Sequence, residues 1–119
     1  RRRIAKKYDN LLTGKFLIPN VSPNVNHAYH LYPLQINFEE LGISKIEFFN
    51  DMKKVEISLQ VHYIPIHLQP YYKRHFGFSA GDFPESEKFY IRQVSLPIYP
   101  GLHSKDLQYV SDKITNYFR

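Results

Sequence analysis

Residues 61–72, VHYIPIHLQPYY, put two histidines, three tyrosines and two prolines into twelve positions. Imidazole and phenol groups hydrogen-bond readily, and an imidazole can also move a proton near neutral pH. Proline stiffens the backbone that carries them, which suits a cleft lined without ordering a loose loop on ligand binding. His62 is the foremost candidate. Leu59, Val61 and Tyr63 share one face of a period-two run, and Ser58, Gln60 and His62 share the other. Pro65 cannot donate to a ladder, so the predicted strand stops near Ile64 and leaves His62 at its end, facing a cleft or water. Alternation assigns Tyr63 to the core. His67 either touches a ligand or caps the helix that follows.

Other chemistries find less support in the residues. His27, His30, His62, His67 and His75 include no pair at the i, i+4 helical spacing of a zinc motif, and His27 and His30 point to opposite faces of an expected strand. No G-x-S-x-G, phosphate-binding loop or G-x-G-x-x-G is present. The chain has no cysteine, which removes disulfides, thiolate metal sites and cysteine nucleophiles and leans towards a reducing cytoplasm.

The formal net charge of +5 comes from Arg1, Arg2, Arg3, Lys6 and Lys7, because the remaining charges balance. A basic end of this kind reads as the solvated start of a helix, not as a face for nucleic acid. The ten tyrosines could stack bases, but HAYHLY and VHYIP lack the basic neighbours of an RNA-binding sheet. No apolar run approaches the length of a membrane-spanning helix and no signal peptide is evident, so neither nucleic acid nor membrane is expected as a partner.

The elements that must position these residues follow from periodicity. At 119 residues the chain is read as one domain, 1–119. Ile4, Tyr8, Leu11 and Leu12 mark a first helix over 1–12, already under way at Arg1, which suggests a piece cut from a longer protein. A turn-rich PNVSPNVN leads to an extended run, 27–38, broken by Pro33. Ser44 and Glu47 form a capping box, with Ile43 and Phe48 as staple and Ile46, Phe49 and Met52 as the expected buried stripe. After the strand at 58–64, a short helix is expected over 70–76. Pro84 opens another that carries Phe89, Tyr90 and Val94, SLPIYPG forms a short edge strand and turn, and Ser104 caps the last helix. The fold class is α+β: a small, mostly antiparallel sheet with helices packed on one side.

HAYHLYPL, VHYIPIHLQPYY, GDFPESEKFY and SLPIYPGL, in this order and at these separations, closely resemble the C-terminal segment of the DegT-like sugar-nucleotide aminotransferases, and within them the pseudaminic acid branch. The likeness covers nearly the whole chain. It implies the small C-terminal domain of a fold-type I aminotransferase, with residues 1–12 joining it to a large domain that holds pyridoxal 5'-phosphate. It also implies a sugar-nucleotide substrate, an amino donor such as glutamate, and a homodimer. By the resemblance, His62 reaches the active site and Tyr63 and His67 are candidate substrate contacts. No lysine here matches the family's cofactor-anchoring position, so catalytic and cofactor-binding residues are expected outside this chain. The VEISLQVHY stretch lacks the Gly-Ile that relatives often carry there. The alternative reading is a non-enzymatic carbohydrate- or RNA-binding module that uses its aromatic residues.

Overall fold

Helix α1 (Arg2–Leu12) forms where Ile4, Tyr8 and Leu12 recur at four-residue steps, and all three are buried together with Ala5. The structure, a computed structural model, describes all 119 residues. Thr13 ends the helix by returning both its backbone N–H and its hydroxyl to the Asp9 carbonyl. After an irregular stretch comes strand β1 (Tyr32–Gln35). Of the extended run expected over 27–38, these four residues are the ones that pair regularly, and they do so with β2 (Gln93–Leu96) in an antiparallel ladder.

The register explains how Pro33 is tolerated. Pro33 lies opposite Ser95, and the backbone N–H and carbonyl of Ser95 turn the other way, to Gln60 at 2.8 and 3.2 Å. The missing donor of Pro33 therefore falls where the ladder makes no demand on it. Tyr32, Leu34, Val94 and Leu96 share the inner face and join a core with side chains of α1, α2 (Lys45–Lys54) and α5 (Ser104–Tyr117). Polar tethers fix the packing. The Tyr32 hydroxyl donates to Asp9 at 2.7 Å, that of Tyr8 to the Pro97 carbonyl at 2.9 Å, and that of Tyr117 to Asp51 at 2.8 Å.

Ser44 caps α2 as expected, its Oγ accepting the Glu47 N–H at 3.5 Å, although the return bond from the Glu47 carboxylate that would complete a capping box is not made, and Phe48 and Met52 are buried. Ile46 departs from the expected stripe and is 75 % exposed, because α2 turns its Phe48–Met52 edge to the core and Ile46 lies off that edge. Helix α3 (Pro70–Phe76) matches the expected bounds, and Gly77 closes it in the left-handed conformation at φ 70°. Helix α4 (Pro84–Arg92) stops earlier than expected: Val94 belongs to β2, where pairing with β1 overrides the helical spacing of Phe89, Tyr90 and Val94. Ser104 is the first helical residue of α5, with His103 as its N-cap.

The expected strand at 58–64 is the main correction. One bridge, Gln60 to Ser95, is all that pairs, after which the chain leaves the sheet for a 3-10 turn at Ile66–Leu68. Without a ladder there is no fixed alternation. Tyr63, expected in the core, is 71 % exposed, while His62 is half-buried. The architecture is α+β, a two-stranded antiparallel sheet with helices against its inner face.

Candidate functional site

The outer face of β2 carries Gln93 and Ser95, both buried although polar. Buried polar groups need partners, and these two find them in each other and in His62. The His62 backbone N–H donates to Gln93 Oε1 at 3.0 Å, which fixes the orientation of that amide. The Gln93 Nε2 group then donates to Ser95 Oγ. Ser95 Oγ also lies 2.8 Å from His62 Nδ1, a contact in which the hydroxyl can donate. When that hydroxyl donates, the neutral imidazole carries its proton on Nε2. The fold thus delivers an imidazole held at one ring nitrogen by a braced relay.

Tyr63 stands edge-on to this imidazole, with ring centroids 4.7 Å apart at 88°. Its exposure leaves its phenol free to meet a ligand or a covering surface. His67 is placed differently. It is 6 % exposed, its Nε2 lies 2.8 Å from Glu87 Oε1, and its ring packs 4.8 Å from Phe83. Glu87 also accepts the Gly81 N–H at 2.8 Å, and the His67 hydrogen bond leads the causes that hold its carboxyl below the usual range. His67 therefore ties the 3-10 turn to α4, and the structure does not bring it into one cluster with His62.

Around these residues lies an apolar surface. Ile64, Ile66, Tyr71 and Phe76 are exposed, and Tyr72, Phe76 and Phe78 follow one another in near-parallel stacks at 5.8 and 6.0 Å. A face of this kind is the usual mark of a surface that something else covers. No three His, Asp or Glu side chains are grouped so as to share a metal ion. No helix is long and apolar enough to cross a membrane. The basic end is held by polar neighbours, with Arg1 on His30 Nδ1 at 3.3 Å and Lys7 on Ser104 at 2.6 Å.

Gln93 and Ser95 were not among the residues singled out from the sequence. Their signal is the alternation QVSL just before Pro97, which sets two polar side chains on one face and Val94 and Leu96 on the other.

The profile of the DegT/DnrJ/EryC1/StrS aminotransferase family matches residues 1–115, and the chain belongs to that family. It is 42 % identical over 109 residues to the uncharacterized protein MJ1066 of Methanocaldococcus jannaschii, which covers 90 % of this chain and 28 % of that protein. It is 33 % identical over 117 residues to the spore coat polysaccharide biosynthesis protein SpsC of Bacillus subtilis, covering 96 % of this chain and 30 % of SpsC. The solved structure of Helicobacter pylori PseC, an aminotransferase involved in the biosynthesis of pseudoaminic acid, superimposes with a TM-score of 0.84 at 24 % identity, over 98 % of this chain and 31 % of that one. The chain thus spans under a third of the length of the proteins it matches.

Proposed function

We propose that this chain is the small C-terminal domain of an aminotransferase that moves an amino group from glutamate to a 4-keto sugar nucleotide, for surface or flagellin glycans. Pyridoxal 5'-phosphate is the cofactor of this reading, held by a large domain elsewhere in the polypeptide, and the enzyme works as a cytoplasmic homodimer. The cofactor supplies the electron sink for exchanging the amino group between the two substrates. The Gln93–Ser95–His62 relay carries the reading, because it presents an oriented donor beside an exposed aromatic surface in a chain of this family. A single imidazole N–H and a phenol fit the oxygens of a sugar or phosphate at the wall of a cleft, and they fit contact with the cofactor rather than its anchorage.

In this arrangement His62 Nε2–H donates to a substrate oxygen and Ser95 keeps the ring from rotating. Tyr63 supports the imidazole edge-on. The exposed side chains of residues 64–76 close against the large domain and exclude water from the cleft.

The test is amino transfer by the full-length polypeptide carrying this chain, loaded with pyridoxal 5'-phosphate and given glutamate with UDP- or dTDP-linked 4-keto sugars. Amino-sugar nucleotide and 2-oxoglutarate formed in equal amounts are expected. A cofactor-loaded protein that converts none of these keto sugars would overturn the proposal.

A further inference from the structure

A second cleft, of about 490 Å³, opens between α2 and the end of α4, with Lys45, Phe49, Tyr90, Ile91 and Arg92 on its walls. Lys45 Nζ donates to the Tyr90 carbonyl at 2.7 Å and lies 5.3 and 5.9 Å from the ring centroids of Tyr90 and Phe49. It has no carboxylate partner, and burial brings its amine down to about 8. Arg92 is likewise without an acid, and its Nε is buried with no acceptor. Glu39 is the one carboxylate on the lining, and it is exposed. Ile46 and Ile91, 75 % and 53 % exposed, add aliphatic surface to the two aromatic rings.

Two cations with no carboxylate partner, set in aromatic and aliphatic walls, define the ligand. We propose that this cleft binds a small organic anion, a carboxylate on a flat apolar body, with the charge between Lys45 and Arg92 and the body against Phe49 and Tyr90. The cleft is separate from the His62 relay, shares no side chain with it, and so stands or falls independently of the aminotransferase reading. Binding favours the protonated amine, so affinity falls as pH rises through about 8. Arg92, Glu39 and Tyr90 are the other titratable groups facing the cleft.

The probe is benzoate, titrated into the isotope-labelled full-length polypeptide that carries this chain and followed by amide chemical shifts, with neutral benzamide and inorganic phosphate as comparisons. Saturable benzoate shifts centred on Lys45, Phe49, Tyr90 and Arg92 are expected, with benzamide and phosphate each at least about tenfold weaker. Lys45→Met and Arg92→Gln should each weaken benzoate about tenfold while leaving benzamide binding as it was, which also shows that each variant is folded. Equal binding of benzoate and benzamide would overturn the charge requirement, and equal binding of benzoate and phosphate the apolar one. Benzoate binding unchanged in both variants would remove the site.

Discussion

Two neighbouring substitutions, His62→Ala and Tyr63→Ala, separate the braced side chain from the exposed one. His62→Ala removes the acceptor that lies 2.8 Å from Ser95 Oγ, in a spot where Ser95 is 4 % and Gln93 0 % exposed. The Ser95 oxygen still accepts from Gln93 and the residue-62 N–H still reaches Gln93, so one hydrogen bond is lost rather than the whole relay. That loss is worth about 1 to 2 kcal/mol, between an average hydrogen bond and a stranded buried donor. At about 2.1 cal/mol/K per residue, a chain of 119 residues unfolds with about 250 cal/mol/K, so Tm should fall by about 4 to 8 °C. Tyr63 is 71 % exposed, and its removal should change stability by less than about 0.5 kcal/mol, or about 2 °C. Thermal unfolding of the two variants beside the native chain, by circular dichroism in one buffer, decides it. A Tyr63→Ala drop as large as that of His62→Ala would refute the placement of both side chains.

Three further outcomes follow from the packing. Tyr32→Phe removes the 2.7 Å bond to Asp9 that ties β1 to α1 and should cost about 1.5 to 3 kcal/mol in urea unfolding, with the slope unchanged. In α2, Met52→Ala should cost about 2 to 5 kcal/mol and Ile46→Ser almost nothing; a loss at Ile46 would put the helix the other way round. The Glu87 carboxyl is depressed in the fold, so its stabilisation is present above the ordinary carboxylate range and is lost as pH falls through the folded value. Acid unfolding of Glu87→Gln should accordingly be shallower than that of the native chain below about pH 4.

Helices α1, α2 and α3 were legible because their signals are local: four-residue apolar steps, a capping box, and a proline and a glycine at the two ends of PYYKRHFG. The sheet was less so. Val94 satisfies a helical spacing with Phe89 and Tyr90 and a strand alternation with Leu96, and the choice is made by β1, sixty residues away in sequence from its partner. Alternation at 58–64 was read as a strand, yet side-chain alternation is enforced only where a ladder holds the backbone, and here the ladder is one bridge at Gln60. His62 is a candidate in the sequence as the last residue of an expected strand face before Pro65, and in the fold its ring is held on Ser95. The residues that orient it, Gln93 and Ser95, lie more than thirty positions on and meet it only through the fold.

The central claim, that His62 serves a sugar-nucleotide cleft, is tested most directly by kcat/KM for the keto sugar in the full-length, cofactor-loaded enzyme bearing His62→Ala. A hydrogen bond from the imidazole to a charged or developing-charge oxygen is worth about 1.5 to 3 kcal/mol, so the account predicts a loss of about ten- to hundredfold at temperatures where the variant is folded. Unchanged kcat/KM in a folded, cofactor-loaded variant would contradict it.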